Sequence, residues 1–313
     1  MAKIAIIGAG SVVFAKRLIS DILSFPELAG STFALTDIDP VRLRTAERMA
    51  VNLIGQQKYD ASVEATLDRK KALTGADYVL NLIQVGMHEA TLKDFEIPKK
   101  YGLKQTIADT LGVGGVFRAL RTAPVMIEFC REMEEVCPDA WLLNYTNPMA
   151  MLMLAVFKSS SIKAVGLCHS VQNTADDLAG YLNIPVEELD YQVAGINHMA
   201  WFLELKHKGV DLYPRLFEAM ENEEIFKKDK VRFEMMRRLN YFVTESSEHM
   251  SEYTPYFIKR DELIERFDIP IDEYIRRSER NLRRFEETKE KIEKGIPFEL
   301  EKSHEFGAPI IHS

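Results

Sequence analysis

The feature that most constrains this chain is its opening stretch. Lys3–Ile7 is a short apolar, β-branched run that ends in Gly8-Ala9-Gly10-Ser11. Val12–Leu23 then takes up helical periodicity, and a second apolar run at residues 33–36 ends at Asp37. Strand, glycine turn, helix and strand in that order read as a βαβ unit. Further strand-like runs at residues 77–83, Trp141–Asn144 and 163–167 alternate with helix-compatible stretches such as residues 116–136, which extends the unit into a parallel sheet.

The texture changes from Leu189 onward. Residues 191–196 and 200–208 read as two strands close in sequence, with Gly209 after them, as in a hairpin. Past Pro214 the pattern is mostly helical, and residues 270–294 form an amphipathic, charge-laced helix whose Arg and Glu side chains face solvent. The expected fold is α/β: a Rossmann-like doubly wound parallel sheet over residues 1–190, followed by a second α+β domain over residues 191–313.

The glycine turn carries the first chemical expectation. Glycines after the first strand let the backbone approach a pyrophosphate, and the next helix points its N-terminal dipole and N–H groups at the anion. Gly8, Gly10 and Ser11 supply the turn, while Val13 stands where a third glycine would complete the fingerprint. Asp37 closes the second strand, where a carboxylate bonds both ribose hydroxyls and repels a 2′-phosphate. The pattern points to a nicotinamide dinucleotide, NAD rather than NADP. The plainer alternative is a tight strand–helix turn in an α/β protein that binds something else.

Cysteine usage bears on compartment. Cys130, Cys137 and Cys168 are an odd number, which argues against a disulfide framework and for reduced thiols. The apolar run at the N-terminus is too short for a secretory signal, and no segment approaches membrane-spanning length, so a cytoplasmic protein is expected. The formal charge of −8, from 48 acidic and 40 basic residues, gives no reason to expect nucleic acid or a membrane as partner.

Cys168 ends the 163–167 strand and His169 follows it, while Asn197-His198 ends another apolar run. Ligands gather at the carboxyl ends of strands in open α/β sheets, so these residues are expected to converge on a bound cofactor. A thiolate and an imidazole are good ligands for a divalent transition metal and leave positions open for substrate oxygens. The bland alternative is a buried apolar cysteine and a hydrogen-bonded histidine. Cys130 and Cys137 read as structural, and His88, His207, His304 and His312 have no evident partner in the sequence.

Five segments taken together are distinctive: Gly8-Ala9-Gly10-Ser11, residues 109–121 (DTLGVGGVFRALR), Asn144-Tyr145-Thr146-Asn147-Pro148-Met149, residues 166–172 (GLCHSVQ) and Gly195-Ile196-Asn197-His198-Met199. The chain resembles family 4 of the glycoside hydrolases. Its Cys-His-Ser-Val-Gln segment, with residues 244–249 (TESSEH) and 251–255 (SEYTP), most resembles the α-galactosidase branch. The resemblance runs through essentially the whole chain. It implies an NAD- and Mn²⁺-dependent glycosidase, a family that stands outside the two-carboxylate rule. Such an enzyme works by oxidation at C3 of the sugar, elimination across C2 and C1, addition of water and reduction, with no net redox change.

Carried over residue by residue, the resemblance makes Cys168 and His198 the metal ligands and His169 the acid toward the leaving group. It makes Asn147 a substrate-binding residue, with Asn197 beside the sugar as well. A histidine suits the acid role because its ordinary pKa lies near working pH. The base that removes the C2 proton is a tyrosine or aspartate in some branches, and Ser246 aligns there. The candidates are then Tyr241, Glu248 and Tyr253, with Tyr241 preferred. Family members continue past Ile310-Ile311-His312-Ser313, so the resemblance also implies a second domain that lacks its C-terminal part. Homo-oligomerisation is a further family expectation.

Two other classes share the dinucleotide fold. A 2-hydroxy-acid dehydrogenase uses an Asn-Pro turn such as Asn147-Pro148 but leaves Cys168-His169 and Asn197-His198 unexplained, and it changes the absorbance of its cofactor. A non-catalytic dinucleotide sensor predicts binding without sugar cleavage. Within the family, α-galacturonidases, α-glucosidases and 6-phosphoglycosidases are the nearest substrate rivals.

Overall fold

A computed structural model describes residues 1–297 of the chain. Two compact units are present among the described residues: the first comprises residues 1–90, 117–167 and 277–297, the second residues 91–116 and 168–276.

In the first unit, six parallel strands form one sheet in the order β3-β2-β1-β4-β5-β6. They are β1 (Lys3–Ile7), β2 (Thr32–Thr36), β3 (Ser62–Thr66), β4 (Tyr78–Asn81), β5 (Trp141–Asn144) and β6 (Lys163–Gly166). Strand order reverses between β1 and β4, which makes this the doubly wound arrangement with its ligand crevice at the carboxyl ends. The central strands are apolar on both faces because helices cover both. On one face the helix Val12–Leu23 buries Val12, Ala15, Leu18, Ile19 and Ile22 at helical spacing. On the other, Met126, Phe129, Cys130 and Met133 of the helix Gly112–Val136 pack with Ile7 and Val79. Cys130 and Cys137 are core residues: burial pushes their thiols up to about 12 and about 11, which leaves them uncharged and inert.

The second unit is built on an antiparallel hairpin, β7 (Leu189–Ile196) with β8 (Met199–His207), flanked by β9 (Val210–Asp211) and β10 (Phe242–Val243). Gly195 pairs with Ala200, and a Cβ on it would lie 2.4 Å from the Met199 carbonyl, so the two strands meet only because that position is glycine. Phe202, Leu205, Phe233 and Phe242 form a core with Leu178 and Leu182 of the helix Ser170–Leu182.

The helix expected over residues 270–294 runs Glu273–Glu293 and buries only Ser278 and Phe285. Its charged side chains are otherwise largely on the surface, and Arg42 lies over the Phe285 ring at 4.3 Å. Among the described residues no helix is long and apolar enough to cross a membrane.

Candidate active site

The glycine turn sits at the carboxyl end of β1. Gly8 has φ +80°, and a Cβ there would lie 3.0 Å from the backbone of Leu82 and Ile83. Gly10 is constrained from the other side. Its N–H donates to Asp37 Oδ2 at 2.8 Å, and a Cβ would lie 2.6 Å from that oxygen. Asp37 Oδ1 also accepts the Asp39 N–H at 3.0 Å, so this carboxylate ties the turn to the end of β2. Ser11 caps the helix Val12–Leu23 by position and is exposed, and the first helical turn contains no acidic residue. An open helix N-terminus, a turn with no room for side chains and an anchored carboxylate fit a dinucleotide.

On the same unit Arg118, buried, donates from Nε to the Asn147 carbonyl at 3.1 Å. Asn147 follows β5 and precedes Pro148, at the same end of the sheet as the glycine turn.

The second unit holds the metal candidates. His198 occupies the two-residue turn between β7 and β8 with φ +62°, a left-handed conformation that histidine tolerates better than most residues. Its Nε2 lies 3.3 Å from Cys168 Sγ. Cys168 lies two residues before the first residue of the helix Ser170–Leu182, and its sulfur accepts the Ser170 N–H at 3.4 Å. The structure therefore brings together the two predicted ligands, which are 30 residues apart in sequence.

Glu245, which the sequence reading passed over, completes this group. Its Oε2 is 3.1 Å from His198 Nε2, and the donor atoms of Cys168, His198 and Glu245 all lie within 4.8 Å of one another. Glu245 follows β10, and the Thr244 N–H donates to the Ala200 carbonyl at 3.0 Å, which holds the segment against the turn end of the hairpin. Glu245 lies in the 244–249 (TESSEH) segment, but nothing in that segment marks it as a ligand, because a two-residue strand sets its place.

The other imidazole nitrogen fixes the orientation. Thr110 Oγ1 donates to Asp109 Oδ1 at 2.6 Å and lies 2.8 Å from His198 Nδ1. A hydroxyl has one hydrogen, so Thr110 accepts from Nδ1–H, and Nε2 faces Cys168 and Glu245. Burial opposes charge on His198, but the Cys168 bond and the Glu245 and Asp109 carboxylates outweigh it and raise the imidazole to about 9. Burial likewise opposes a thiolate at Cys168, and the His198 contact overcomes it, so that thiol is lowered. Without a cation, the charge on the imidazolium offsets the repulsion between the Cys168 thiolate and the Glu245 carboxylate. A divalent cation does the same with more charge, so the donor set fits a metal.

A second grouping, Asp109, His198 and His249, shares the same imidazole. It fits less well as a ligand set, because Asp109 Oδ1 already accepts hydroxyls from Thr110 and, at 3.1 Å, from Tyr253. His249 Nδ1 lies 2.8 Å from Ser246 Oγ.

The remaining candidates are placed as follows. His169 is exposed at the start of the helix Ser170–Leu182. Asn197 precedes His198 in the turn, and its side-chain oxygen is buried with no hydrogen-bond partner among the described residues. Tyr241 is 42% exposed and packs edge-on against Tyr213, with ring centroids 5.9 Å apart. Burial pushes the Tyr253 phenol well above its ordinary range, so it holds its proton and donates it to Asp109. His88 and His207 are accounted for by Ser278 and Glu188, at 2.6 and 2.7 Å. His304 and His312 lie outside the described residues.

Residues 3–184 match the family 4 glycosyl hydrolases, and residues 193–313 match the C-terminal domain of that family. The chain is 49% identical over 317 residues to an alpha-galactosidase of Bacillus subtilis (strain 168), covering 100% of this chain and 73% of that protein. It is 41% identical over 268 residues to an alpha-galactosidase of Rhizobium meliloti (strain 1021), covering 85% of this chain and 55% of that one. The fold matches a solved 6-phospho-alpha-glucosidase from gut microorganisms in complex with NAD and Mn²⁺, with a TM-score of 0.79 at 22% identity over 99% of this chain and 73% of that one. The matches cover both the doubly wound sheet and the hairpin that carries His198, and the chain belongs to family 4 of the glycosyl hydrolases.

Proposed function

We propose that this chain is an α-galactosidase that hydrolyses α-galactosides with NAD and a divalent cation, Mn²⁺, as cofactors. The observation that carries the reading is the convergence of Cys168 and His198 on one point beside Glu245, since hydrolysis by a carboxylate pair has no use for a thiolate–imidazole site. The 49% identity with an alpha-galactosidase supports the choice of sugar.

When bound, the dinucleotide takes up and returns a hydride, and the cation draws electrons from a sugar carbonyl. Gly8, Gly10 and Ser11 receive the pyrophosphate and Asp37 the ribose hydroxyls. Cys168 and His198 hold the cation. Asn147 and Asn197 orient the sugar; the unpartnered Asn197 side-chain oxygen is an acceptor suited to a hydroxyl. His169, exposed, gives a proton to the departing glycosidic oxygen. Tyr241 takes the C2 proton, its partly open position leaving the phenol reachable. The protein works in the cytoplasm as a homo-oligomer, without a nucleic-acid or membrane partner; the charge of −8 is in keeping with this.

The test is release of nitrophenol from 4-nitrophenyl α-D-galactoside under reducing conditions, with NAD⁺ and Mn²⁺ together and each omitted in turn. Hydrolysis that requires both supports the reading. Accumulation of NADH during turnover, or hydrolysis indifferent to both cofactors, rejects it.

A further inference from the structure

We infer that Glu245 is a third protein ligand of the divalent cation, so that this chain grips the metal through sulfur, nitrogen and oxygen rather than through a Cys–His pair alone. The inference rests on the metal-dependent reading above and extends it. Glu245 Oε2 is buried with no hydrogen-bond partner among the described residues, and it lies 3.1 Å from His198 Nε2, an ion pair only while that imidazole carries its second proton. The other carboxylate oxygen is held: Oε1 accepts the Ser246 N–H at 3.0 Å and lies 3.4 Å from His249 Nδ1. One oxygen is thus anchored while the other points at the space shared with Cys168 Sγ and His198 Nε2. A buried carboxylate oxygen left without a donor is costly, and a cation in contact with it removes that cost.

The spacing suits one ion. Donor atoms roughly 2.0–2.3 Å from a common ion stand no further apart than about 4.6 Å, and here His198 Nε2 lies 3.3 Å from Cys168 Sγ and 3.1 Å from Glu245 Oε2. The donor chemistry also resolves a mismatch. A thiolate and an imidazole by themselves favour Zn²⁺ over Mn²⁺, whereas an added carboxylate is a hard oxygen donor of the kind Mn²⁺ prefers. Three protein donors in a six-coordinate shell leave three positions for substrate oxygens and water.

The experiment is Mn²⁺ binding to the metal-free full chain under reducing conditions, read from the electron paramagnetic resonance signal of free aqueous Mn²⁺, with parallel Zn²⁺ titrations. Glu245→Gln keeps the shape and an acceptor for Ser246. It should weaken Mn²⁺ at least as much as loss of an outer partner of a ligand does, roughly 10–100-fold, and weaken Zn²⁺ less. Glu245→Asp, which retains a carboxylate, should recover part of the Mn²⁺ affinity. Cys168→Ser provides the comparison for loss of an accepted ligand. Unchanged Mn²⁺ affinity in Glu245→Gln beside a weakened Cys168→Ser overturns the inference and leaves the function standing. Equal losses of Mn²⁺ and Zn²⁺ in both Glu245 variants, with altered near-ultraviolet circular dichroism, also overturn it by making the role structural. Absence of Mn²⁺ binding in the wild type overturns the metal-dependent reading itself.

Discussion

Thr110 Oγ1 stands 2.8 Å from His198 Nδ1 and passes its own hydrogen to Asp109, so a hydroxyl decides which imidazole nitrogen faces the sulfur of Cys168. Replacing Thr110 by Val keeps the shape and removes the relay. We expect Mn²⁺ affinity to fall roughly 10–100-fold, as for other outer partners of metal-bound histidines. Thr110→Ser should retain most of it. Metal titration of the two variants decides the point, and equal affinities would show that the hydroxyl does not set the ring.

The cofactor turn gives a separate test. Gly10→Ala forces a methyl to within 2.6 Å of Asp37 Oδ2, so the carboxylate must leave its bond to the Gly10 N–H. Calorimetry should show NAD⁺ affinity reduced by roughly tenfold or more, about 1.4 kcal/mol, with Mn²⁺ binding unaltered.

Glu252 makes stability depend on pH. Its carboxylate accepts the N–H groups of Thr106, Ile107 and Ala108, yet burial outweighs them and raises the group to about 7 from an ordinary value of 4.5. The folded state holds this proton more tightly than the unfolded state. The contribution is therefore fully present below about 4.5 and is lost as the pH rises through about 7. Urea unfolding between pH 5 and 8 should show the wild type losing stability relative to Glu252→Gln, whose amide does not titrate. Parallel curves for the two proteins would contradict this.

Arg232 is buried and donates from Nε to Asp229 at 2.8 Å, from Nη1 to Thr174 at 2.8 Å and from Nη2 to Asp177 at 2.7 Å. Arg232→Met leaves Asp229, itself buried, without its counter-charge. Breaking a buried pair from one side costs about 3–5 kcal/mol. Denaturant midpoints should drop accordingly, and the double variant that also carries Asp229→Asn should regain part of the loss.

Local patterns were readable in the sequence where local contacts decide the structure. The turn after β1, the alternation of strands with helices and the hairpin around Asn197-His198 all follow from nearest-neighbour chemistry. Strand β3 escaped because it is an edge strand of short alternating residues, with Ser62 and Glu64 exposed and Val63 and Ala65 only half-buried. The helix expected from Val116 begins at Gly112. Its glycines are there for packing: a Cβ on Gly114 would lie 2.7 Å from the Ala108 carbonyl, and one on Gly115 2.6 Å from that of Thr110. Glu245 and Thr110 were hidden for a different reason. Each meets His198 only through tertiary pairing, Glu245 by way of β10 and Thr110 by way of a loop 88 residues away in sequence.

The two-residue hairpin turn that carries His198 has one last consequence. From Val193 to Phe202 the strands pair residue for residue, so gaining or losing a single residue there would shift the turn and carry the imidazole away from Cys168, whereas further out the hairpin already absorbs one extra residue, Leu203, in a bulge. Apart from Gly195, the stretch next to the turn can vary in composition but not in length. Among relatives of this chain, insertions and deletions should therefore gather outside the stretch from Val193 to Phe202 and leave it uninterrupted.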